Sequence, residues 1–174
     1  LNEYWQKIKR QIITLLSPKL AVDNIHAIDF TKLKDQGINC LIMDLDDTLL
    51  PRTVNDITPQ LFEWIATRKE EGFKICLASN SRHPLRVKYI GETLGVPYIS
   101  MGFKPLPFVF WKSLEILESS SKETAMIGDQ LFMDVLGGNI VNLFTIYVKN
   151  LTPENFPPRI WMRQLERWIL DQTL

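Results

Sequence analysis

Four apolar residues, Cys40-Leu41-Ile42-Met43, run without alternation into Asp44-Leu45-Asp46-Asp47-Thr48. An unbroken apolar run after Gly37 predicts a strand buried on both faces, the kind found inside parallel sheets. Such a strand does not ordinarily end in a cluster of carboxylates. Like charges this close raise one another's pKa unless a cation sits among them, and a hard divalent cation suits carboxylate and carbonyl oxygen. If the strand continues, Asp44 and Asp46 project to one side while Leu45 returns to the core. Taken alone, the motif reads equally as an acidic loop behind a strand. The rest of the chain separates the two readings.

Apolar runs over 73–78, 96–100, 124–127 and 144–148 predict further strands. Helical patterns fall between them, over 59–71, 84–94, about 107–118 and 131–137, with a closing helix from Pro157-Pro158 to about Leu170. Thr58-Pro59 starts the first of these well, as a hydroxyl cap followed by proline in the first turn. This alternation predicts an α/β fold, a parallel five-stranded sheet with helices on both faces. The 174 residues suit a single domain, 1–174. Its predicted parts are a helix over 3–16 with an irregular lead-in (1–36), a core (37–150) and a C-terminal helix (151–174). About 30 residues separate Asp46 from Ser79 and about 25 separate Ser79 from Lys104, near the minimum for a right-handed crossover. No cap domain is therefore expected, and the site should be open.

Lysine plus arginine equals aspartate plus glutamate at 20 each, so no overall field recruits nucleic acid, and none is expected as a partner. Cys40 and Cys76 fall in runs predicted to be adjacent strands, as buried thiols of a reducing compartment. No apolar stretch approaches the ~20 residues needed to span a bilayer. The sequence begins at Leu1 rather than methionine, which leaves room for an initiator or a targeting segment upstream.

In parallel sheets ligands bind beyond the carboxyl ends of the strands. The predicted strands deliver Asp44 and Asp46, then Ser79, then Lys104, then Asp129 to that edge. These groups suit phosphoryl transfer. One carboxylate can attack phosphorus and carry the phosphoryl group. A cation and a lysine offset its repulsion from the incoming dianion. A second carboxylate two residues on can protonate the leaving oxygen and then activate water, and a hydroxyl with backbone N–H groups can hold the remaining oxygens.

Asp44-x-Asp46-x-Thr48, Ser79-Asn80, Lys104-Pro105 and Gly128-Asp129-x4-Asp134 resemble, in order and spacing, the four motifs of the haloacid-dehalogenase (HAD) phosphatases. The resemblance implies Asp44 as nucleophile and Asp46 as general acid/base. It implies Ser79, Asn80 and Lys104 as phosphoryl-binding groups. It also implies Mg²⁺ held by Asp44, the Asp46 carbonyl, Asp129 and Asp134. A response-regulator receiver uses similar parts in a different order and does not fit.

The run from Gly128 to Asn139, with Leu15 to Pro18, Gly37 to Leu50 and Arg86-Val87, is similar to the YqeG-type branch of that superfamily. This branch includes phosphatidylglycerophosphate phosphatases, and the likeness implies a phospholipid substrate met at an anionic membrane surface. The expected location is the cytoplasmic or organelle-matrix side, as a peripheral membrane protein. Asp47 stands where the branch usually has Asn, Ile140 where it has Arg, and Asn142 where it has Gly. Another phosphomonoester (phosphoprotein, nucleic-acid end or small metabolite) and a non-catalytic binding module are the alternatives.

Two terminal stripes bear on the lipid reading. Trp161, Leu165, Trp168 and Ile169 lie at helical spacing beside Arg159, Arg163 and Arg167, and Trp5 lies near Lys7, Lys9 and Arg10. Each stripe reads either as a core-packing face or as a membrane-surface face. Arg82, His83 and Arg86 follow Ser79-Asn80 closely enough to meet a phosphate head group, or to lie in solvent.

Overall fold

The computed structural model describes residues 2–173; Leu1 and Leu174 lie outside them. Six parallel strands form one sheet: β1 (Leu20–Val22), β2 (Cys40–Met43), β3 (Lys74–Ala78), β4 (Tyr98–Ile99), β5 (Thr124–Gly128) and β6 (Phe144–Val148), in the order β1-β6-β5-β2-β3-β4. The sheet is thus one strand wider than the five predicted. Leu20-Ala21-Val22 is too short to carry a periodic signal, and its strand state comes from pairing with Ile146, Tyr147 and Val148 at the edge.

Helices α1 (Asn2–Leu16), α2 (Phe30–Asp35), α3 (Pro59–Glu70), α4 (Pro84–Leu94), α5 (Pro107–Leu117), α6 (Leu136–Ile140) and α7 (Pro157–Thr173) complete the chain. Thr58 caps α3 by accepting from the Leu61 N–H at 3.2 Å. The pleat of β2 divides the core. Leu41 and Met43 face Trp64 and Ile65 of α3 and Val87 and Ile90 of α4, while Cys40 and Ile42 face Val109 and Phe110 of α5. Each helix-covered face accounts for one half of the continuous apolar run. Cys40 and Cys76 lie on paired strands as buried free thiols, and burial pushes the Cys76 thiol up to about 11.

Connections leave β2 in opposite directions. The chain passes outward through β3 and β4, then returns to lay β5 against the other side of β2. That reversal places a crevice at the carboxyl ends of β2 and β5. The crossovers there carry α3 and α4, and among the described residues no inserted domain covers the crevice. The chain covers part of it by another route: Leu131, Val135, Tyr147 and Leu170 form a small cluster that docks α7 beside the strand ends.

Candidate active site

Asp44 follows the last residue of β2, and its N–H donates to the Ile127 carbonyl at 2.9 Å, which sets it beside the end of β5. Asp129 is the first residue after β5. Asp134 lies in a π-helical turn, Leu131–Val135, and its carboxylate folds back to accept from the Gln130 N–H at 3.0 Å. It passes over Gly128, where a Cβ would stand 2.3 Å from the Asp134 carboxyl carbon, so only glycine admits this return. Lys104, buried in the loop after β4, donates to Asp44 Oδ1 at 2.5 Å and to Asp134 Oδ1 at 2.6 Å. Asp44, Asp129 and Asp134 each bring an oxygen within 4.8 Å of the others. Three buried carboxylates and a buried ammonium therefore meet where two neighbouring strands end.

Known proteins resemble the chain along most of its length. The description haloacid dehalogenase-like hydrolase matches residues 41–103, and HAD-hydrolase-like matches residues 103–150. The chain is 37% identical to "Probable phosphatase YqeG" of Bacillus subtilis (strain 168) over 88% of its own length and 89% of that protein. It belongs to the YqeG-type HAD phosphatases. It is also 28% identical to "Phosphatidylglycerophosphate phosphatase 1, chloroplastic" of Chlamydomonas reinhardtii, covering 92% of itself and 63% of that longer protein. The fold matches the cobalt-bound deoxy-D-mannose-octulosonate 8-phosphate phosphatase of Haemophilus influenzae with a TM-score of 0.54 at 15% identity, over 80% of this chain and 90% of that one.

HAD hydrolases generally use a divalent metal, and the acidic cluster fits one. Asp44 Oδ2 is buried and without a hydrogen-bond partner. A buried carboxylate oxygen is seldom left bare, and a cation is the partner that three converging carboxylates accept. Asp44, Asp129 and Asp134 would hold it. Burial raises the Asp129 pKa, with the Asp44 charge adding and Arg163 opposing. Burial also raises Asp134, against Lys104. Burial alone would depress the Lys104 pKa, but Asp134 and Asp44 outweigh it and raise the value.

These shifts carry a pH consequence. With raised native pKa values, Asp129 and Asp134 bind protons more tightly in the folded metal-free chain than in the unfolded one. Its stability therefore falls as pH climbs from the ordinary carboxylate value through the raised values. A divalent cation needs both groups ionised, so its binding releases protons and its stabilising effect grows over the same window. The rise in melting temperature caused by Mg²⁺ over EDTA should be larger near pH ~8 than near pH ~5.5. An equal rise at both would show that these carboxylates do not take up the ion.

Around this centre the side chains divide their tasks unevenly. Ser79 is fully buried, and its hydroxyl accepts from the Ser81 N–H at 3.0 Å. Asn80 lines the cleft, but its amide is taken up by Lys104, donating to the Lys104 carbonyl at 2.9 Å and accepting from its N–H at 2.8 Å. Asn80, expected to bind substrate, also splints the loop that delivers the ammonium. Asp46 borders the cleft, and burial raises its pKa, with Arg86 opposing and Asp44 adding. Thr48 donates to Asp129 Oδ1 at 3.4 Å, so it touches the acidic cluster. Asp47 and Asn142, two positions that depart from the branch pattern, have φ of 65° and 61°. Both replacements tolerate that left-handed conformation.

α7 supplies residues that apolar periodicity pointed away from. Arg163, nearly buried, donates to the Asp129 carboxylate and to its backbone carbonyl, and pairs with Glu166 at 3.1 Å. Among the described side chains of this helix Arg163, Glu166 and Leu170 are buried, whereas Trp161 and Trp168 are exposed. Within the stripe the two tryptophans therefore do not pack on the core, whereas Ile169 packs against Leu131, Val135, Tyr147 and Leu170. The neighbouring Arg163, which the sequence leaves open as part of a core-packing or a membrane-surface face, points inward to the acidic centre. The i, i+3, i+7 spacing of 163, 166 and 170 was present, but two of the three residues are charged, so a hydrophobicity pattern passes over them. With Phe156, Arg159 and Met162, α7 walls one side of a cleft of about 730 Å³. The site is less open than the missing cap implies.

Proposed function

We propose that this phosphatase uses Mg²⁺ and an aspartyl-phosphate on Asp44 to remove the terminal phosphate of phosphatidylglycerophosphate. The observation that carries the chemistry is the partnerless Asp44 Oδ2, set among Lys104, Asp129 and Asp134 at the floor of the cleft. Asp44 attacks phosphorus and the ester P–O bond breaks, with the proton of Asp46 going to the leaving oxygen. Water then attacks the phosphoryl group, Asp46 takes its proton, and the Asp44–phosphorus bond breaks to release phosphate. Lys104 stays charged throughout and binds phosphoryl oxygen, as does the Ser79 hydroxyl hydrogen. Bound Mg²⁺ supplies the remaining positive charge against the dianion.

The lipid half of the proposal has separate support. One relative bears the name of a phosphatidylglycerophosphate phosphatase. No described helix is long and apolar enough to cross a membrane, yet Trp5, Trp161 and Trp168 are each at least 60% exposed. Exposed tryptophans beside the exposed Lys7, Lys9 and Arg10 suit an anionic interface. We assign a peripheral position there. Phosphate release from phosphatidylglycerophosphate in mixed micelles with Mg²⁺ tests both halves. Release that is abolished by EDTA and by Asp44→Asn supports the whole proposal. Asp44-dependent release from an aryl phosphate alone would retain the chemistry and discard the lipid, leaving another phosphomonoester as substrate.

A further inference from the structure

Arg86 lies in the first turn of α4, and its side chain is 9% exposed. Nη1 pairs with Asp46 Oδ1 at 2.5 Å. Nε donates to Asn55 Oδ1 at 3.0 Å, while Nη2 donates to the carbonyls of Pro51 and Val54 at 3.1 and 3.0 Å. All three guanidinium nitrogens are engaged, so this arginine is not a free anion receptor for a phosphate head group. Its one charged partner is the carboxylate two residues beyond Asp44.

We propose that Arg86 is the positioning residue of the proton-transfer step, holding Asp46 by Oδ1 so that Oδ2 exchanges the proton with the leaving oxygen and then with water. The inference rests on reading Asp46 as the general acid/base. Asp46 needs such a hold because it lies outside regular secondary structure, followed by Asp47 in a left-handed conformation and by a loop over 51–58 that is neither helix nor strand. A carboxyl free to rotate would lose the alignment on which proton transfer depends. The planar guanidinium is anchored by two carbonyls and an amide oxygen before it reaches Asp46, so its orientation is fixed in advance. A lysine ammonium, one point of charge on a flexible stem, cannot make that set of contacts.

A staple that merely held the 51–58 loop to α4 would look the same in a stability measurement, so the test reads proton transfer itself. The variants are Arg86→Lys, Arg86→Gln and Asp46→Asn, and the measurement is single-turnover phenol release with Mg²⁺. Para-nitrophenyl phosphate has a leaving group that needs no proton; unsubstituted phenyl phosphate has one that does. Both arginine variants should keep the para-nitrophenyl burst within about 3-fold and lose about 100-fold on phenyl phosphate, the usual size of a general-acid contribution. Apparent binding of either substrate should change little. Equal losses on the two substrates, or rescue by lysine, would overturn the proposal in favour of a structural staple. If Asp46→Asn itself fails to discriminate, the reading of Asp46 has failed rather than the role of Arg86. Should both arginine variants not fold, Asn55→Ala removes only the exposed anchor of Nε. It should shift the ratio of the two rates several-fold, and an unchanged ratio in folded Asn55→Ala protein would also overturn the proposal.

Discussion

Asp44→Asn should lower turnover of any phosphomonoester by about 10³-fold or more while leaving the fold intact. The two halves of that result have different causes. The amide keeps the carboxylate's size, so the packing around Met43 and Leu45 is undisturbed. It loses the anionic oxygen that attacks phosphorus, and no neighbouring carboxylate can replace it. Asp134 has one oxygen on Lys104 and the other on the Gln130 N–H, and Asp129 is held by Arg163. The exchange also removes one of three buried like charges. The metal-free variant should therefore melt no lower than the parent, because the lost attraction to Lys104 is offset by relief of repulsion among the carboxylates. Phosphate release and a thermal melt on the same preparation decide it. Activity above about a tenth of the parent's would rule out Asp44 as the nucleophile.

Lys104→Met should show the opposite balance, with activity and stability lost together. The ammonium is 2% exposed at the side chain and is the shared partner of Asp44 and Asp134. Removing one member of a buried ion cluster leaves the others uncompensated, a loss of about 3–5 kcal/mol for a fully buried pair. Part of that loss should be regained by protonating the stranded carboxylates, so the variant should be relatively more stable at low pH. Part should be regained by a divalent cation, which replaces the missing positive charge. The expected signature is a larger Mg²⁺-dependent rise in melting temperature for Lys104→Met than for the parent. Stability would return with the ion, but turnover would not, because the proposed mechanism also needs Lys104 to bind phosphoryl oxygen. A variant that melts like the parent in EDTA would show that the three carboxylates do not depend on this lysine.

Read together, Asp44 and Lys104 explain how an acidic cluster persists in a core that ought to reject it. The chain brings the carboxylates in beyond β2 and β5 and the lysine in the loop after β4, and these groups neutralise one another only after those strands are in place. The centre is thus a product of folding rather than of any local segment. Arg163 extends the same logic from the C-terminal helix, where its ion pair with Asp129 ties α7 to the catalytic edge. Burial would lower the Arg163 pKa, yet Asp129 and Glu166 together raise it, so the guanidinium stays charged while buried.

Much of this was legible in the amino-acid sequence because it depends on local physics. Unbroken apolar runs such as Cys40–Met43 announce strands buried on two faces, Thr58-Pro59 announces a helix start, and a carboxylate, hydroxyl or lysine after each run announces a functional strand edge. The order Asp44, Ser79, Lys104, Asp129 was enough to separate this family from receivers that use similar parts. Pairing and partner choice lay beyond its reach. Leu20–Val22 becomes a strand only because β6 offers it an edge. The amide of Asn80 turns to Lys104 because two loops distant in sequence end side by side. Arg86 reaches Asp46 across 40 residues and Arg163 reaches Asp129 across 34. A charged residue carries no periodic signature of the side it faces, since its preference is set by whichever opposite charge the fold brings near. Sequence therefore determined the strands, their order and the chemical groups at their ends, and the tertiary structure decided which of those groups hold one another in place.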